Sequence, residues 1–313
     1  MRIVALAGGV GAGRFLRGLI RTVDPAGLTV VVNTGDDLSL HGLHVSPDLD
    51  SVCYWLAGLA DRERGWGRAD ESFRSLEALE ELGAEAWFAL GDRDLATHLV
   101  RTGLLRAGKT LTEATAAIRL GMGIRAEVLP MSDDPVTTRI EVLGPGGERL
   151  DLHFQEYWVR RRARDPVKGI RYQGVGAARP APGVLEALGA ADGIVICPSN
   201  PVASILPIMA VPGVRPALRA RRGRVVAITP IVGGAPLGGM ADRLMPAAGL
   251  EVSGLGTARA YRDEAGAFVL DQRDQGEAEG IRSLDMTVAV TDTVMVDDGA
   301  AARLAAVALG LVA

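Results

Sequence analysis

A chain of 313 residues with 48% hydrophobic side chains has the apolar material for one large core or two modest ones, which excludes an intrinsically disordered chain. Its formal charge of −4 and its 4% aromatic content argue against a non-specific nucleic-acid binder, which wants a basic surface and stacking rings. There is no apolar run of membrane-spanning length and no signal-peptide core before the first glycines, so the expectation is a cytoplasmic protein off the membrane.

In chain order, residues 2–7 form a short apolar run closed by Gly8 and Gly9 and read as a buried strand. Residues 14–22 put Phe15, Leu16, Leu19 and Ile20 on one helical face, and Leu28–Val32 is a second strand ending at Asn33. Strand, glycine turn, helix and strand make a βαβ opening, which implies a parallel sheet covered by helices. From about 50 to 120 the pattern is mostly helical: Glu71–Leu82 has helical spacing, Thr110 and Glu113 form a capping box, and Asp50 is placed to cap a helix starting near Ser51. Strands are expected at Arg125–Leu129, Thr137–Leu143 and Arg149–His153, the last two joined as a hairpin by Gly144-Pro145-Gly146-Gly147. The α/β rhythm returns with strands at Gly193–Cys197, Arg224–Thr229 and Thr287–Val290 and a closing helix at Ala300–Leu311. With no repeat or linker in view, the reading is a single α/β domain over 1–313, its sheet mainly parallel, with a helical insertion at about 50–120.

Several segments carry possible chemistry. Gly8-Gly9-Val10-Gly11-Ala12-Gly13 lies between a strand and a helix, where backbone N–H groups can approach a phosphate. It departs from the dinucleotide fingerprint, because Arg14 stands at the third glycine position and no Walker lysine follows. After the second strand, Asp36, Asp37, Asp48 and Asp50 fall within 15 positions. That is the sheet edge at which open α/β folds bind ligands, and clustered acids there suit Mg²⁺ shared with a phosphate. Taken alone, such acids are more often solvated turns or helix caps, and the metal reading gains ground from the glycine segment beside them. Gly91-Asp92-Arg93-Asp94 is followed by His98, which shares a helical face with Asp94. Leu129–Pro135, Pro198-Ser199-Asn200-Pro201 and the glycine-rich stretch 233–241 are further polar turns. The run Arg160, Arg161, Arg162, Arg164 reads as a solvated face, and Cys53 and Cys197, with no C-x-x-C spacing, read as buried thiols. Taken together these features suggest metal-assisted phosphoryl-type transfer.

The ordered blocks GGVGAGRFLRGL, VVNTGDD, SPDLDSV, LGDRDLATHLVR, LPMSDDPV, HFQEYWV, PSNPVASILPI and ITPIVGGAPLGGMADRLM span nearly the whole chain. In them the sequence resembles the 2-phospho-L-lactate transferases of coenzyme F420 biosynthesis and their bacterial phosphoenolpyruvyl transferase relatives. The resemblance implies a Rossmann-like core, a homodimer and a Mg²⁺-dependent transfer. In that transfer a guanosine diphosphate-linked donor passes a phosphorus still bearing its three-carbon acid to the ribityl hydroxyl of the deazaflavin FO, and GMP leaves. Carried over by position, Asp50 and Arg93 match deazaflavin-binding positions, with His98 beside them. Gly9, Val10, Gly11, Ser199 and Asn200 match the nucleotide and phosphate region, and Asp36, Asp37 and Asp48 the metal cluster. Asp36 and Asp50 are the candidate catalytic acids, and which acid takes the hydroxyl proton stays open. A nucleotide-sugar or dinucleotide-binding regulator of the same superfamily is the competing expectation. It is disfavoured by Leu38-Ser39-Leu40-His41-Gly42 after the acid pair, where that group carries Gly-Gly-Ser-type sequence.

Overall fold

A computed structural model of the chain describes residues 1–312. Seven strands form its central sheet: β1 (Ile3–Ala7), β2 (Leu28–Val32), β3 (Glu127–Pro130), β4 (Gly193–Ile196), β5 (Val225–Ile228), β6 (Ala267–Asp271) and β7 (Thr287–Thr291). All are parallel, in the spatial order β7-β6-β5-β4-β1-β2-β3. The order reverses between β1 and β4, and the loops leaving those two strands diverge to opposite sides of a crevice. This is the Rossmann-like α/β architecture.

The strands read as continuous apolar runs because both faces are covered. Ile3, Ala5 and Ala7 point to one core with Phe15, Leu16, Val52 and Leu304, while Val4 and Leu6 point to a second with Ile205, Ile208, Val214 and Tyr261. The first layer is built by α1 (Gly9–Leu19), α2 (Pro47–Ala57) and the C-terminal helix Asp298–Gly310.

Between β2 and β3 the chain makes a small hairpin (Leu38–Leu40 with Leu43–Val45) and then α2, Arg74–Glu81, α3 (Asp92–Arg106) and Leu111–Gly121. The last helix begins with the expected capping box, Thr110 and Glu113 each bonding the other's backbone N–H. Between β3 and β4 a three-stranded antiparallel sheet places Thr137–Leu143 between Arg149–His153 and Val167–Gln173. It closes a third apolar core over Leu244 and Met245 and carries residues 154–159 to the rim of the crevice.

Three expectations need correction. The glycine segment is not a loop preceding a helix: α1 starts at Gly9, so its glycines form the first turn. Asp50 does not cap a helix; α2 starts at Pro47, which is favoured at a first helical position, and Asp50 lies inside the first turn. Besides the short two-stranded pairs, two strands of five residues or more, Val167–Gln173 and β6, lie where no strand was expected. Among the described residues no helix is long and apolar enough to cross a membrane.

Candidate functional site

The cavity at the switch point has a volume of about 930 Å³ and is lined by Gly8–Gly11, Asp36, Asp48, Asp50, His98, Ser199 and Asn200, among others. Every segment singled out for phosphate, acid and acceptor chemistry reaches this one space, except at Asp37 and Arg93.

At one end α1 opens without a side-chain cap and without an acid in its own first turn. The N–H groups of a first turn have no intrahelical acceptor; that of Gly9 is taken by Asp48, and those that follow lie at the cavity wall, where an anion can meet them. The turn after β4 is pressed against them: a Cβ on Gly11 would collide with the carbonyl oxygen of Pro198. Ser199 fixes the contact, its hydroxyl donating to the Gly8 carbonyl at 2.8 Å. Asn200 spends its side-chain carbonyl on the N–H groups of Val202 and Ala203, at 3.0 and 3.1 Å, which leaves its amide N–H₂ for the cavity.

Beside this lies a pair of buried acids. Asn33, at the end of β2, donates its amide to Asp36 Oδ1 (3.2 Å) and Asp48 Oδ2 (2.9 Å), and Gln155 donates to Asp36 Oδ2 (2.7 Å). These bonds do not offset burial. Asp36 is pushed well above the usual carboxylate range, first by desolvation and then by the negative charges of Asp48 and Asp37. Asp48 rises to about 7, chiefly by desolvation, against hydrogen bonds from Asn33, the Gly9 backbone and Ser204. Two hard-oxygen side chains that share one amide donor and repel each other are a donor set suited to a divalent cation. Asp37 turns away, accepting from Ser46 Oγ at 2.7 Å and meeting His44 Nε2 at 2.9 Å, and it lines a separate shallow pocket. The structure therefore brings Asp36 and Asp48 together and leaves Asp37 out of the pair.

Asp50 has a different environment. Arg101, 1% exposed, clamps it with both terminal nitrogens; the Nη1–Oδ2 contact is 3.0 Å and Nη2 meets Oδ1. Burial alone would lower the Arg101 pKa, but the Asp50 charge outweighs it and the net shift is upward. His98 is wedged between acids, with Nδ1 3.5 Å from Asp50 and Nε2 3.4 Å from Asp94. The Tyr54 hydroxyl donates to Asp94 at 2.5 Å. Asp50, Asp94 and His98 offer atoms within 4.8 Å of one another, the spacing of a metal site. Arg101 already supplies positive charge to this cluster, whereas among the described residues no cationic side chain bonds Asp36 or Asp48. Arg93 stands apart, exposed outside the cavity lining, its Nη1 near the Ala69 carbonyl (3.4 Å) and Asp70 (3.9 Å).

Sequence reasoning passed over Asn33, Gln155 and Arg101. Arg101 was within reach: Asp94, His98 and Arg101 recur at helical spacing on α3, all buried.

Fold and site define a Rossmann-like α/β protein whose switch-point cavity joins an uncapped helix start to paired buried acids. The family model described as 2-phospho-L-lactate transferase CofD matches residues 3–306, and the chain belongs to that transferase family. A phosphoenolpyruvate transferase of Kitasatospora aureofaciens is 46% identical over 316 aligned positions, covering 99% of this chain and 98% of the relative. A 2-phospho-L-lactate transferase of Methanosarcina mazei is 42% identical, with 94% of each chain covered. The crystal structure of a UPF0052-family protein from Bacillus halodurans shares the fold, with a TM-score of 0.64 and 18% identity over 98% of both chains.

Proposed function

We propose that this protein moves a phosphoenolpyruvyl or 2-phospho-L-lactyl group from a guanosine diphosphate-linked donor to the ribityl hydroxyl of FO (7,8-didemethyl-8-hydroxy-5-deazariboflavin). GMP is released and the (dehydro) F420-0 core is formed. The observation that carries this reading is the cavity itself, where phosphate-binding N–H groups, an acid pair and Asp50 share one space. The relatives' names, phosphoenolpyruvate and 2-phospho-L-lactate transferase, supply the donor classes.

In this reading the first turn of α1 and the Asn200 amide bind the diphosphate, and Ser199 holds their two segments together. Asp36 and Asp48 hold Mg²⁺, with Asp37 behind them adding negative charge to the Asp36 environment. When bound, the cation offsets diphosphate charge as the transfer proceeds. Asp50, fixed by Arg101, orients the FO hydroxyl, with His98 beside it and Arg93 at the outer edge. The hydroxyl oxygen forms a bond to the phosphorus bearing the three-carbon acid. The bond from that phosphorus to the oxygen of GMP breaks, and its electron pair leaves with GMP. The hydroxyl proton passes to a carboxylate, Asp36 or Asp50. A primary alcohol is a weak nucleophile, so in-line placement carries much of the rate. The same reading includes a cytoplasmic homodimer, checked by sedimentation of the purified protein.

The test is a mixed-donor assay with FO and Mg²⁺, reading GMP release and product mass. FO-dependent GMP release with one preferred three-carbon acid is expected. Tight nucleotide-sugar binding without FO binding or GMP release would replace the transferase with the regulator.

A further inference from the structure

One cavity wall has no part in the roles above. α2 ends at Ala57 and the chain turns into a tight loop closed at its base, with Ala60 bridging Arg68 and Ala69 N–H donating to Leu59 O at 2.8 Å. The loop is stiffened from within. Asp61 accepts from the N–H groups of Glu63 and Arg64 and from Arg64 Nε, each at 2.9 Å, and Arg64 Nη2 reaches the Arg68 carbonyl at 2.8 Å. At the tip, between Gly65 (φ +80°) and Gly67 (φ +69°), stands Trp66.

Trp66 is 44% exposed, yet it lines the cavity. The Arg64 guanidinium carbon lies 5.1 Å from its ring centroid, and Arg64 is also 5.4 Å from the ring of Phe73. The indole is thus braced by a cation that is itself held by Asp61, and part of the ring is left bare. Arg68 ties the loop to the acceptor side: it lies 5.6 Å over the ring of Tyr54, one helical turn beyond Asp50, and donates to the Arg93 carbonyl at 3.4 Å. A large apolar ring held out by a stiff loop at a cavity mouth suits a flat aromatic partner, because stacking needs area and a fixed plane.

We propose that Trp66 is the stacking platform for the planar ring system of the acceptor, and that the Asp61–Arg64 brace sets its plane. The inference rests on the reading of FO as acceptor. The tricycle lies against the indole at the mouth while its polyol tail runs inward toward Asp50. Trp66 therefore selects for acceptors with a flat aromatic head and makes no demand on the donor.

The experiment titrates FO, followed by its own fluorescence, and GDP, followed by calorimetry, into the wild type, Trp66→Ala and Trp66→Phe. Trp66→Ala is expected to weaken FO binding by roughly tenfold or more, the scale of one lost stacking contact. Trp66→Phe should keep most of the affinity, and GDP should bind all three proteins alike. Trp66→Ala binding FO as the wild type does overturns the platform, as does an equal loss of FO and GDP. A wild-type protein that binds GDP but not FO overturns the acceptor reading itself, and the inference with it.

Discussion

Asp48 and Asp50 lie two residues apart in the first turn of α2, both nearly fully buried and both on the same cavity. Asp50 faces the guanidinium of Arg101, while Asp48 faces Asp36 across a shared amide from Asn33. One acid has its countercharge built into the chain, and the other pair has only neutral donors and mutual repulsion. A buried carboxylate without a cation is costly, so folded proteins usually neutralise it, pair it or bring a metal to it. The contrast makes the Asp50 cluster self-compensated and leaves the Asp36–Asp48 pair to be neutralised by a proton or, in the proposed function, by Mg²⁺.

The largest effect should come from breaking the compensated half. Arg101→Met strips Asp50 of its partner in a buried site, and loss of one member of a buried pair typically costs about 3–5 kcal/mol, read by chemical denaturation. A double variant, Asp50→Leu with Arg101→Met, should recover much of that stability while losing FO binding. If Arg101→Met alone leaves stability unchanged, the clamp is not what holds Asp50.

The uncompensated half should show itself in pH. A carboxyl whose folded pKa is raised favours the folded state in its protonated form. Asp48 therefore contributes stability below its unfolded value near 4, and that contribution is lost as pH rises through about 7. In chelator, unfolding free energy should fall between about pH 4 and 7, and Asp48→Asn should flatten the decline. An unchanged profile in the variant would place the pH dependence elsewhere.

The smallest effect serves as a control away from both clusters. Thr110→Ala removes the hydroxyl that caps Leu111–Gly121 and should cost about 1 kcal/mol, with nucleotide and FO affinity untouched.

Much of this contrast was legible in the sequence. Buried parallel strands announce themselves as short apolar runs, and the turns after β1, β2 and β4 carried glycines, acids and Ser-Asn at the edge where such sheets bind ligands. What periodicity does not carry is direction. Asp36 and Asp37 are neighbours in the same turn, yet one joins the acid pair and the other turns to His44 and Ser46. Arg101 and Gln155 act only through tertiary contact, at separations of 51 and 119 residues from the acids they bond. β6 carries the same short apolar signal, Ala267-Phe268-Val269-Leu270, and was passed over although it was legible. Arg93 stands exposed outside the cavity lining, so the part proposed for it lies at the outer edge of the site, a placement its position in the sequence did not carry.

The most direct test is a melting curve at pH 8 across a Mg²⁺ titration, for the wild type and for Asp48→Asn. A ligand bound only by the folded state stabilises it by about 2.7 kcal/mol at a hundredfold excess over Kd. The wild type should therefore gain stability saturably, and the variant should gain little. A wild-type melting temperature indifferent to Mg²⁺, or a gain equally large without the Asp48 carboxylate, would contradict the assignment of the cation to the Asp36–Asp48 pair.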